Sequence, residues 1–168
     1  MATSPLSFYI HVPYCVKRCG YCDFNTYTPA ELNGDLKSVS SDYIDLLVKE
    51  VDFAEREINS SISTIFIGGG TPTLLEASDI NKILKKLENA FGFADDIEIT
   101  IEANPDSVTP EKLSQLRTAG VNRISFGMQS SVGHVLKVLD RTHNPDNVHN
   151  SAQLIKEVGF GHLSVDLI

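Results

Sequence analysis

At 168 residues, 18.4 kDa and a formal net charge of −8, the chain is long enough for one domain with a sizeable core, and its 42% hydrophobic and 21% charged residues exclude a disordered polymer. The acidic balance, with a pI near 5.0, argues against a nucleic-acid partner, because counterion release from phosphates needs clustered Lys and Arg. No stretch approaches the roughly 18 apolar residues of a membrane span, and "MATSPLSFYIHV" lacks the basic start of a secretory signal, so the protein is expected in the cytoplasm, where thiols stay reduced.

Short apolar strands alternate with amphipathic helices along the chain. Phe8 to Val12 reads as the first strand, followed by a loop that holds every cysteine, Cys15, Cys19 and Cys22. After a polar stretch over residues 25 to 40, a helix is predicted from about Asp42, with Ile44, Leu47, Val48, Val51 and Ile58 as its apolar stripe. Thr64 to Ile67 is the second strand, ended by Gly68, Gly69 and Gly70. Ser78 and Asp79 are candidate caps for a helix carrying Ile80, Ile83, Leu84 and Leu87. Ile97 to Glu102 is the third strand. Thr109-Pro110-Glu111 opens the next helix with a cap and a proline at its first position, and Gly120 stops it. Asn122 to Met128 is the fourth strand, a helix covers about Val148 to Val158, and Leu163 to Ile168 is the fifth strand.

This alternation implies right-handed βαβ units and a parallel sheet. The side chains divide it by face. Ile97, Ile99 and Ile101 oppose Glu98, Thr100 and Glu102; Leu163, Val165 and Leu167 oppose His162, Ser164 and Asp166. Ile124, Phe126 and Met128 oppose Arg123, Ser125 and Gln129, and Phe8, Ile10 and Val12 oppose Tyr9 and His11. A sheet covered on both faces reads as continuous Val, Ile and Leu. Here one face suits helices and the other suits a polar lumen, so the expected fold class is α/β, a partial (β/α) barrel truncated in the fifth strand. The whole of 1–168 reads as one domain, a fragment of a longer gene product, because a final apolar strand left unpaired is a hazard. Pairing with a second chain, as an oligomer, is the other way to cover it.

Three cysteines at C-x3-C-x2-C suit either an iron–sulfur cluster or a zinc ion. A [4Fe–4S] cluster ordinarily takes four thiolates, so three leave one iron open to another ligand. Zinc needs a fourth ligand, for which His11 is available, but zinc sites more often come as two separated pairs. The glycine run reads on its own as a tight turn or as a close approach of backbone to a ligand. Thr73 stands where a dinucleotide fingerprint or a P-loop needs glycine.

"YIHVPYCVKRCGYC" resembles the signature of the radical S-adenosylmethionine (SAM) superfamily, and its H-x-P-x-C lead-in and downstream motifs are similar to those of the oxygen-independent coproporphyrinogen III oxidase group. The resemblance spans essentially the whole chain. It implies a radical SAM core domain with a [4Fe–4S] cluster on Cys15, Cys19 and Cys22 and SAM beside it. "IFIGGGTPT" resembles the motif that receives the SAM amino group, which implies roles for Gly69, Gly70 and Thr71. "TIEANPD" implies Glu102 on the ribose, "SFGMQS" implies Gln129, "LDRTHN" implies Arg141 and "SVDLI" implies Asp166. Tyr9 and Tyr21 are implied cofactor contacts. Taken singly, Arg141 and Asp166 read also as ordinary ion-pair partners, and Tyr9 reads equally as half-buried packing.

The oxidase pattern continues to a further cysteine two residues after the third. Phe24 stands there, and "CDFNTY" resembles the heme chaperone branch of the group instead. That branch implies a protein of porphyrin and heme metabolism that binds and transfers heme, with heme as a third candidate ligand. Whether the chain is an enzyme stays open. The alternative is an oxidoreductase that decarboxylates coproporphyrinogen III to protoporphyrinogen IX and needs an electron donor protein; a zinc-stabilised interaction module is a further alternative. Of the five histidines, His11, His134, His143, His149 and His162, none has a context that marks a heme ligand, and His149 is expected at the surface.

Overall fold

The computed structural model describes residues 5–33, 36–143 and 145–168. Outside it lie the start of the "MATSP" segment, part of the 25–40 stretch and Asn144 of "LDRTHN". Five strands, β1 (Leu6–Val12), β2 (Ile62–Gly69), β3 (Phe93–Ala103), β4 (Arg123–Gln129) and β5 (His162–Leu167), form one sheet in the order β1-β2-β3-β4-β5. Every pairing is parallel. Spatial order therefore follows chain order, with no reversal. A doubly wound sheet reverses at a switch point; a barrel does not. β1 and β5 are both edges, so the barrel is partial, as the side-chain alternation predicts.

The helices α1 (Leu36–Ala54), α2 (Ala77–Phe91), α3 (Pro110–Thr118), α4 (Gly133–Val138) and α5 (Pro145–Val158) fill the crossovers. They lie side by side in the order of the strands they connect: α1 against α2, α2 against α3, α3 against α5. Their apolar stripes close the core with Ile10, Val12, Ile65, Ile67, Ile99, Ile101, Ile124 and Phe126 from the covered sheet face. Each such fully buried side chain contributes about 1.5–3 kcal/mol of transfer free energy. Leu163 and Val165, assigned to that face by alternation, stay 39% and 40% exposed, where β5 packs chiefly on β4 and α5 lies against β4.

Several boundaries depart from expectation: β3 begins at Phe93, four residues before Ile97, and α5 at Pro145, before Val148. α1 begins at Leu36, not near Asp42, and ends at Ala54, which leaves Ile58 in the turn that follows rather than on the stripe. The first residue of α2 is Ala77 and its cap position is Glu76, so Ser78 and Asp79 lie inside the first turn and cap nothing. The six-residue α4 is new. At α3 the expectation holds: Thr109 accepts from the Lys112 N–H, Pro110 opens the helix, and Gly120, at φ +108°, ends it.

The opposite sheet face carries the polar set. Arg123 reaches Glu98, Thr100 and, at 3.1 Å, Ser164, while the Ser125 hydroxyl lies 3.4 Å from Asp166. Thr100 and Ser125 are buried with their hydroxyls partnered, as a polar interior requires.

Candidate functional site

The cysteine loop leaves the C-terminal end of β1 and is closed on itself. Cys15 N–H donates to Tyr27 O at 3.0 Å and Tyr27 N–H to Pro13 O at 2.7 Å. His11 braces the same loop from the strand: its Nε2–H donates to Asn25 O at 2.9 Å, which leaves Nδ1 to accept from the Tyr9 hydroxyl at 3.0 Å. Cys22 N–H donates to Cys19 O, so these two cysteines share one turn.

The glycine loop leaves β2 beside it. Gly70 N–H donates to Val12 O at 2.8 Å and Thr71 N–H to Tyr14 O at 2.7 Å. These bonds press the loops so close that a Cβ on Gly70 would lie 2.4 Å from Tyr14 O and 3.0 Å from Cys15 Sγ. Gly69 adopts φ +110°, a backbone that side chains resist, and its N–H donates to Glu102 Oε2 at 3.0 Å. A tight turn and a close backbone approach are thus both present in the same three residues.

Between these loops and the ends of β3, β4 and β5 is a cavity of about 250 Å³ lined by Cys15, Cys19, Cys22, Tyr21, Gly69, Gly70, Thr71, Glu102, Gln129, Arg141 and Asp166, together with Phe24, Asn104 and Gly127. It opens at the C-terminal ends of the strands, where barrel proteins assemble their sites. Eleven sequence-derived candidates meet there. Tyr9 does not: it lies on the same sheet face, 57% exposed, stacked on Phe66 and bonded to His11.

Local electrostatics follow from burial. Burial holds the Glu102 carboxyl above its ordinary range, aided by the charge of Asp166 and opposed by the Gly69 N–H. Burial likewise pushes the Cys15 thiol up, against hydrogen bonds from Thr71 and Thr26 that pull it down. Arg141 spends its donors on Asn104 Oδ1 at 2.7 Å, on Gly127 O and on Cys19 Sγ at 3.4 Å rather than on a carboxylate, and its buried Nε has no partner among the described residues. The ion-pair reading of Arg141 is thereby set aside.

The donor set fits a cluster better than a mononuclear ion. All three cysteines are free thiols, and they line one cavity, yet no three His, Cys, Asp or Glu among the described residues are placed to share a single metal ion. Thiolates of a [4Fe–4S] cluster each bind a different iron, so they need a common cavity and not a common coordination sphere. His11, the candidate fourth zinc ligand, has both ring nitrogens occupied by Tyr9 and Asn25.

Sequence reasoning missed Asn104, whose carboxamide joins Thr71 to Arg141; the available signal was an Asn before Pro105, where a turn cap is expected. Among the described residues, no helix is long and apolar enough to cross a membrane.

Residues 9–168 match the Radical SAM superfamily. The chain is 42% identical over 170 residues to the heme chaperone HemW of Mycobacterium tuberculosis, a match covering 100% of this chain and 43% of that one. To HemW of Escherichia coli it is 39% identical over 168 residues, covering 98% and 42%. Among solved structures, the coproporphyrinogen III oxidase HemN of Escherichia coli, a radical SAM enzyme, superposes with a TM-score of 0.86 at 30% identity over 97% of this chain and 37% of that one. The chain therefore spans less than half the length of these relatives. Their identities bear out the resemblance to the heme chaperone branch. The chain belongs to the radical SAM superfamily, and a [4Fe–4S] cluster and SAM are the cofactors which that membership implies.

Proposed function

We propose that this chain is the radical SAM part of a heme chaperone. Cys15, Cys19 and Cys22 hold the cluster; Gly69, Gly70, Thr71, Glu102, Gln129, Arg141 and Asp166 line the SAM site, with Tyr21 at its rim. Bound by three thiolates, such a cluster offers one iron to an outside ligand and serves as a one-electron reductant. The protein's own share is positioning. Gly69 and Gly70 admit the ligand to the backbone, Glu102 presents acceptors to sugar hydroxyls, and the sheet closes the cavity from below. Heme is the cargo, carried by the intact protein.

The observation that carries this reading is Phe24. It lines the cavity two residues after Cys22, where the oxidase pattern has a further cysteine. The heme chaperone relatives at 42% and 39% identity support it, against 30% for the oxidase structure.

The test is anaerobic reconstitution of the intact polypeptide. Expected are brown protein with iron and sulfide in comparable amount, an electron paramagnetic signal that responds to SAM, and heme uptake with transfer to an apo-hemoprotein. A vinyl-bearing product from coproporphyrinogen III, SAM and a strong reductant would overturn the chaperone assignment. Colourless protein with stoichiometric zinc would overturn the cluster as well.

A further inference from the structure

We infer that Asn104 is a positioning residue of this site, setting through one carboxamide both the guanidinium beside Cys19 and the Thr71 hydroxyl at the cavity wall. The inference rests on the cluster reading above. Asn104 Oδ1 accepts from Arg141 Nη2 at 2.7 Å, and Asn104 Nδ2 donates to Thr71 Oγ1 at 3.1 Å. Beyond these, Arg141 Nη1 lies 3.4 Å from Cys19 Sγ, and Thr71 lines the same cavity as Cys15, next to Gly70, where a Cβ would lie 3.0 Å from Cys15 Sγ. A continuous chain thus runs Thr71–Asn104–Arg141–Cys19, joining the segments that follow β1, β2, β3 and β4.

The chemistry calls for a carboxamide at its centre. Arg has only donors, so its partner must accept; the Thr71 hydroxyl oxygen accepts here, so its partner must donate. Asn supplies both functions, whereas a carboxylate supplies only acceptors. Its backbone is held in place as well: Asn104 N–H donates to Ser107 Oγ at 3.1 Å, and that hydroxyl donates to Asn104 O at 2.7 Å. Hydrogen bonds to cluster sulfurs and nearby positive charge raise the reduction potential, and removing a partner behind a metal ligand costs about 10–100-fold in metal retention. Asn104 touches no thiol itself, so its effect passes through Arg141 and Thr71.

The experiment is a redox titration followed by electron paramagnetic resonance, with iron release to a chelator, on the anaerobically loaded intact polypeptide. Asn104→Ser keeps a residue suited to the turn but lacks reach. It is expected to lower the midpoint potential by about one decade in the reduction equilibrium, ~59 mV for one electron, and to speed iron release roughly tenfold. Asn104→Asp keeps the acceptor for Arg141 and is expected to release iron more slowly than Asn104→Ser. Combined with Arg141→Gln, Asn104→Ser should shift the potential by less than the sum of the single shifts, since both act on one chain of contacts. Wild-type potential and iron release in Asn104→Ser, additive shifts, or faster release from Asn104→Asp would each overturn the inference. Wild-type protein that takes up no cluster would instead overturn the reading on which it rests.

Discussion

Replacing Gly70 with Ala adds one methyl group at the tightest contact of the site. Gly70 does not occupy the left-handed region that Gly69 does, so the effect of the added atom is steric. The new Cβ would lie 2.4 Å from Tyr14 O and 2.9 Å from Tyr14 C, where real Cβ contacts stay beyond 3.0 Å. Both are backbone atoms, and no rotamer change relieves the overlap. The glycine loop and the cysteine loop must part by at least 0.6 Å, against the 2.8 Å and 2.7 Å hydrogen bonds that join them. Overpacking of this kind costs about 1–3 kcal/mol; at about 2–4 °C per kcal/mol for a chain of this size, Tm should fall by about 2–12 °C. Because the displaced segment carries Cys15, iron per polypeptide after anaerobic reconstitution should fall as well. Gly133→Ala is the control, since its Cβ meets nothing within 4 Å. A Gly70→Ala protein that melts with the wild type and loads full iron would refute the abutment of the two loops.

Other outcomes follow from the same geometry. The folded state raises the Glu102 pKa above the ordinary 4.5, so it binds the proton more tightly than the unfolded chain does, and stability declines as pH rises through that window. Glu102→Gln should therefore raise the Tm of the apoprotein at pH 7, with the gain vanishing below about pH 4, while calorimetric SAM binding weakens; a Tm gain that grows on acidification would contradict this. His11→Ala removes two hydrogen bonds from the brace of the cysteine loop, at about 1 kcal/mol each, and should quicken hydrogen exchange at Cys15 and Tyr27. Unchanged exchange there would show that the loop holds itself. Thr109→Ala removes the α3 cap and should cost about 1 kcal/mol in chemical denaturation without altering iron content; an equal loss of iron would mean that α3 and the site are coupled.

The strands were legible because each must satisfy two environments at once. Ile99 and Ile101 face helices while Glu102 faces the lumen, and a period of two records that. The cavity residues were legible by resemblance, and the lumen face reached Glu102, Gln129 and Asp166 independently. Where the signal failed, a local rule was too weak. Polar and β-branched residues before Asp42 read as loop, yet α1 runs Leu36–Ala54. Gly133–Val138 is too short to show a period, and nothing caps it. At the end of β4 the register shifts between Gly127 and Gln129, and Gln129 takes φ +64°. A bulge of this kind re-aims the side chain that follows it, and no pattern of apolar residues encodes it. Tyr9 illustrates the converse: the face was right, but the cavity lies nearer the strand ends.

The clasp between the cysteine loop and the segment after α4 also bears on the order of assembly. Lys17 pairs with Asp140 across 123 positions, and Arg141 reaches Cys19 across 122. Each doubling of such a span adds only about 0.6 kcal/mol of closure entropy, so the tether is inexpensive at equilibrium, but contacts this distant in sequence form late in folding. A ribosome must release all of β4 and α4, through Arg141, before the thiols acquire these neighbours. Iron delivered to the nascent chain would meet three cysteines on an open loop, whereas iron delivered afterwards would meet a finished cradle.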